Sequence, residues 1–102
     1  MIDNAVYNTV AQNNVTDNGG AGIVLVNEAN RNTVQANTVT GNQIGILSTT
    51  LESLFPFHNQ IIGNILMDNS VFDAADFDSQ CNDYWAGNNV TRVNAEAVGC
   101  IQ

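Results

Sequence analysis

A period of 24 residues in asparagine and valine leaves this chain few folds to choose from. In 8-NTVAQNNVTDN-18, Asn8, Asn13 and Asn18 stand five apart, with Val10 and Val15 between them. The set returns 24 residues later as Asn32, Val34, Asn37, Val39 and Asn42. It returns again after 27 as Asn59, Ile61, Asn64, Leu66 and Asn69, and after 24 more as Asp83, Trp85, Asn88 and Val90. An amphipathic helix spaces its apolar residues three and four apart, and this pattern does not. Self-similarity at this length marks a solenoid.

The local chemistry predicts short strands. Asn is a poor helix and strand former that tolerates left-handed backbone, so each Asn is expected to turn a corner. The apolar residue two positions on has the parity of an inward side chain. Gly22-Ile23-Val24-Leu25 and Gly45-Ile46-Leu47 supply a further face, with Ile and Leu inward. Like strands would stack in parallel at about 4.8 Å per coil. Identical Asn side chains would then hydrogen-bond along the axis as amide ladders. The three extra residues fall in 48-STTLESLFPF-57, read as a lengthened loop.

The order Asn-x-Val-x-x-Asn-x-Val-x-x-Asn, then Gly-Ile-x-Leu, resembles the repeat of right-handed, pectin-lyase-like parallel β-helices. Within that group it is especially similar to the nitrous-oxide-accessory β-helix proteins, over residues from about 4 to 93. The resemblance implies an all-β, right-handed parallel β-helix of about four coils, a single domain over 1–102. The coils fall at about 4–30, 31–57, 58–80 and 81–102, the C-terminal portion of such a solenoid. This architecture hosts lyases, hydrolases, epimerases and non-catalytic adhesins, so the fold alone assigns no activity. The segment 73–100 is similar to the closing segment of secreted bacterial β-helix proteins, an acidic stretch before a Trp-bearing last coil and a terminal Cys. Trp85, in an inward column, is expected to cover the last layer, with ligand stacking as the alternative. Cys81 and Cys100 are the only cysteines and form no Cys-x-x-Cys pattern. A disulfide between them would suit a secreted or periplasmic protein and contribute about 3 kcal/mol. Two buried free thiols are the alternative.

Charge narrows the partners. Ten acidic and two basic residues give a net charge of -8. Phosphate backbones and anionic membrane surfaces need a basic face, so nucleic acid and membrane are not expected. No apolar run approaches the ~20 residues of a spanning helix. The first coil begins close to Met1, and Ile2 and Val6 are too few to cover it. Either the chain is the C-terminal part of a longer solenoid or it pairs with another chain there, so a homodimer joined at the N-terminal coil, or else a marginally stable fragment, is expected.

Lyases of the family it resembles need a base, commonly cationic or phenolic, and often calcium. This chain has no Lys; its arginines are Arg31 and Arg92. Tyr7, Arg31, His58 and Asn82 share one repeat position, and His58 beside Arg31 has the elements of a base next to a cation. Solvated corner residues are the plainer reading. Asp73, Asp76 and Asp78 are close enough in sequence for paired carboxylates or, with Asp83 or Asp68, for calcium; a solvated acidic turn is the plainer reading. One His and two Met do not make a copper site. The loop 49–57 brings Leu51, Leu54, Phe55 and Phe57 around Pro56, either to stack on sugar rings or to fold back as a satellite core. The Thr9/Thr33 and Thr16/Thr40 columns suggest an ice- or surface-binding array, but they break at Gln60 and Met67. Together these features favour an extracellular, non-catalytic β-helix module associated with polysaccharide. A lyase or hydrolase is the alternative.

Overall fold

The computed structural model describes residues 1–51 and 54–101, so part of the predicted loop, at 52 and 53, lies outside the described residues. The described residues wind through twelve short strands. They are β1 (Ile2–Asp3), β2 (Thr9–Ala11), β3 (Asn14–Thr16), β4 (Ala21–Val26), β5 (Thr33–Gln35) and β6 (Thr38–Thr40). After them come β7 (Ile44–Thr49), β8 (Gln60–Ile62), β9 (Ile65–Met67), β10 (Phe72–Asp76), β11 (Tyr84–Ala86) and β12 (Asn89–Val90). Every third strand pairs in parallel, giving sheets β1-β4-β7-β10, β2-β5-β8-β11 and β3-β6-β9-β12. This is a parallel β-solenoid of about four turns with three faces.

The registers match the sequence period. Val10 lies on Val34, Val34 on Ile61 and Ile61 on Trp85. Val15, Val39, Leu66 and Val90 form the second inner column. Val34, Val39, Ile46, Ile61 and Leu66 are fully buried, and Ile23, Leu25, Trp85, Ala97 and Ile101 join the same core.

The asparagines form three ladders. From the second coil on, each Asn Oδ1 accepts from both the backbone N–H and the Nδ2 of the Asn one coil earlier. Asn37 gives Asn64 Oδ1 bonds of 2.9 and 3.0 Å, and Asn64 gives Asn88 Oδ1 two of 2.9 Å. Each embedded Nδ2 also reaches back to a carbonyl of the earlier coil, as Asn64 does to Val34 at 3.0 Å. Buried amides are thus satisfied without water.

Two expectations need correction. The corner is turned by the residue before each Asn. Tyr7, Gln12, Asp17, Arg31, Ala36, His58 and Asp68 are left-handed, as are Gly41, Gly63 and Gly87. The Asn itself spends its side chain inward on the ladder. Leu47 is not an inward residue: strand alternation pairs it with Val24 and places Ser48 on Leu25, facing in. Gly45 does have a steric cause. A Cβ there would press into the Asp73 carbonyl and approach Asn69 Nδ2 to 2.9 Å.

The C-terminal end is closed. β10 is a strand without large inward residues, Ala74 lying on Ile46 and Asp76 on Ser48. Two ladders end in carboxylates, which accept and need no further coil to donate to. Asp83 Oδ1 takes Asn59 N and Nδ2 at 3.1 and 2.8 Å. Asp73 Oδ1 takes Asn69 N and Nδ2 at 3.2 and 3.1 Å. A short 3-10 turn, Ala95–Ala97, buries Ala97 over the last layer. Cys100 is bonded to Cys81, with the Cα atoms 5.2 Å apart. At the other end Ile2 is buried on Leu25, while Val10 and Val15 are half-buried.

Candidate functional site

One corner differs from the others. The second corner column runs Gln12, Ala36, Gly63, Gly87, and the third Asp17, Gly41, Asp68. The first carries Tyr7, Arg31 and His58, all left-handed and exposed. Left-handed backbone costs an ordinary residue about 1–2 kcal/mol, which Gly avoids. Three large side chains therefore stand where the backbone favours the smallest. Strain of this kind gathers where a side chain has a task. The corner is stacked in register, with Asn30 bridging both Val6 and Phe57 and His58 N–H bonded to Asn82 O at 2.6 Å. Tyr7, Arg31, His58 and Asn82 thus lie at this corner in successive coils along the axis.

His58 sits where three concavities meet. The largest, about 490 Å³, is lined by Leu54, Phe55, Phe57, Phe77, Asp78 and Asn82 among others. A second, about 330 Å³, runs from His58 past Asn82 to Tyr84. The third, about 190 Å³, holds Arg31, Asn32, Thr33, His58 and Gln60. Phe57 meets the His58 ring edge-on, centroids 5.3 Å apart. The loop is not a satellite core: Pro56 is buried and Phe55 and Phe57 half-buried, but Leu51 and Leu54 are 70% and 68% exposed. The opposite wall, 77–80, was not foreseen. It follows β10 and carries no repeat signal; an aromatic, Phe77, inside an acidic stretch is the signal that could have found it.

The acidic tail is not a solvated turn. Asp73, Asp76 and Asp78 are all buried. Asp73 Oδ2 accepts from Thr91 and Arg92 N–H at 3.4 and 3.2 Å. Asp76 accepts from Asp78 N–H at 3.0 Å and from the Trp85 indole at 2.9 Å. Asp78 accepts from Gln80 N–H at 3.0 Å and Asn82 Nδ2 at 2.7 Å. Burial pushes the Asp76 carboxyl up to about 6, the charges of Asp83 and Asp78 adding to it while bonds from Asp78 and Trp85 oppose it. Burial likewise raises Asp83, against bonds from Asn59 and Ser48. These oxygens hold the cap together. Among the described residues no three of His, Cys, Asp and Glu gather to hold a metal ion.

A parallel β-solenoid with buried Asn ladders, a disulfide-tied end and a side-chain-bearing corner is the class of protein these features define. The chain belongs to the family described as periplasmic copper-binding protein (NosD), which it matches over residues 1–98. No curated protein and no solved structure matches it. The disulfide is consistent with the family's periplasmic location. The donors present here do not fit the copper of the family description. The single His stands alone at its corner, and both Cys are bonded to each other. Met67 Sδ, on β9, faces Asn89 Nδ2 at 3.9 Å. Copper sites need such soft donors gathered at one point.

Proposed function

We propose that this chain is a non-catalytic β-helix module, exported from the cytoplasm, that binds a glycan along the Tyr7–Arg31–His58–Asn82 corner. The observation that carries the reading is the stripe of large side chains on left-handed backbone, opening onto a groove with three phenyl rings. Phenyl faces pack against the apolar faces of sugar rings, while the Asn82 and Gln80 amides and the Ser79 hydroxyl offer directional hydrogen bonds. Calcium is not required by this reading. A lyase is the second reading, favoured by Arg31 and His58 lining one concavity in adjacent coils. Titration calorimetry against neutral and acidic oligosaccharides, with and without calcium, tests the proposal. Saturable binding that Phe57→Ala weakens, without new reducing ends or unsaturated products, is the expected result. Chain cleavage abolished by His58→Gln would establish the lyase instead. No binding across the panel would overturn both.

A further inference from the structure

We infer that Arg31 selects an acidic sugar, through its carboxylate or sulfate, at the end of the corner site away from the phenyl groove. The inference rests on the glycan reading and adds the ligand's charge. The protein carries ten acidic and two basic residues, so its long-range field repels anions. An anionic ligand is held only where a cation stands free to meet it. Arg92 is exposed, its Nη2 donating to the Asn69 carbonyl, but it lines none of the three concavities at His58. Arg31 lines one of them. It is exposed, and its one side-chain hydrogen bond among the described residues goes to the neutral amide oxygen of Asn30, at 2.8 Å. That bond steadies the guanidinium without neutralising it. Of five N–H donors, about four are left, in the planar fork that matches a carboxylate or sulfate.

Placement supplies the rest. The Arg31 concavity also contains the Thr33 hydroxyl and the Gln60 amide, and it shares His58 with the phenyl groove. Coils stack at about 4.8 Å, so Arg31 to Asn82 spans roughly 10 Å, the reach of about two sugar rings. One ring on Phe57 and Phe77 would place the next over His58, with its acid group toward Arg31.

The test compares a uronic-acid disaccharide with its neutral methyl ester at pH 7, at low and moderate salt. The acid is expected to bind at least tenfold tighter, and the gap should narrow as salt rises. Arg31→Gln is expected to close the gap between acid and ester. Phe57→Ala should weaken both ligands. Circular dichroism and thermal melts confirm that each variant folds. Equal binding of the two ligands, or a gap that survives Arg31→Gln, would overturn the inference and leave the glycan reading standing. Binding of neither would overturn the glycan reading and this inference with it.

Discussion

Asn64 has more to satisfy than any surface asparagine. It is buried, receives two bonds from Asn37, gives two to Asn88, and gives one to the Val34 carbonyl. Asn64→Ala keeps the backbone bond but strands the Asn37 N–H and the Val34 carbonyl in the core. Each such orphan costs about 1–3 kcal/mol, so a loss of at least about 2 kcal/mol is expected in urea unfolding. Asn13→Ala, at an exposed rung, should cost under about 1 kcal/mol. Equal losses at the two sites would mean that burial does not set the strength of a rung. The ladders were legible because each Asn repeats in phase with an apolar residue two positions on. The turning residue was not, because Asn's own tolerance of left-handed backbone drew the corner one position too late. Leu47 was misplaced for a related reason. Gly-Ile-x-Leu fixes the parity of Leu25, and in the next coil that parity falls on Ser48, which a hydrophobic pattern passes over.

At the level of the coil, the corner columns separate structural demand from the proposed binding role. Ala36 is left-handed at φ 56°, and its column mates Gly63 and Gly87 already carry the residue that backbone prefers. Ala36→Gly relieves about 1–2 kcal/mol of strain and adds about 0.5–1 kcal/mol of unfolded-state entropy, so a net gain of about 0.5–1 kcal/mol is expected. His58→Gly makes the same exchange at the corner proposed to bind glycan. It should leave stability level or slightly higher while abolishing glycan binding. A melting temperature lowered by Ala36→Gly would show that the corner is not strained. The stripe was visible in the sequence because Tyr7, Arg31, His58 and Asn82 occupy one repeat position. The groove beside it was not. Its walls, 54–57 and 77–80, are the two places where the chain leaves the period, and no spacing brings them together.

Over the whole molecule, the solenoid is closed by a cap whose parts are aperiodic but not independent. Asp76 lies under Trp85, and its N–H and carbonyl are bracketed by the Asn94 amide at 2.8 and 2.9 Å. Asp83 takes the Ser48 hydroxyl at 3.0 Å, and the Cys81–Cys100 bond ties the tail to the groove wall. Trp85 was legible as the covering residue because it stands in an inward column. Asp83 was legible as a rung because it stands in the Asn column. Asp73, Asp76 and Asp78 were not, because acidity in a sequence reads as solvent and only the closed end shows where buried carboxylates serve as acceptors. Their burial has a thermodynamic consequence. The Asp76 carboxyl, raised from 3.8 to about 6, binds its proton more tightly in the folded than in the unfolded chain. Its contribution to stability is therefore fully present below about 3.8, shrinks as pH rises through about 6, and is constant above that. One such group changes stability by at most about 1.4 kcal/mol per pH unit. Asp76→Asn places an amide N–H₂ against the Trp85 indole and should lower stability at every pH, so the slope is the measurement. Calorimetric melts between pH 4.5 and 7 should show the wild type gaining on the variant as pH falls below about 6. Parallel curves would mean that Asp76 keeps an ordinary carboxylate pKa and that its burial is compensated by the cap's hydrogen bonds.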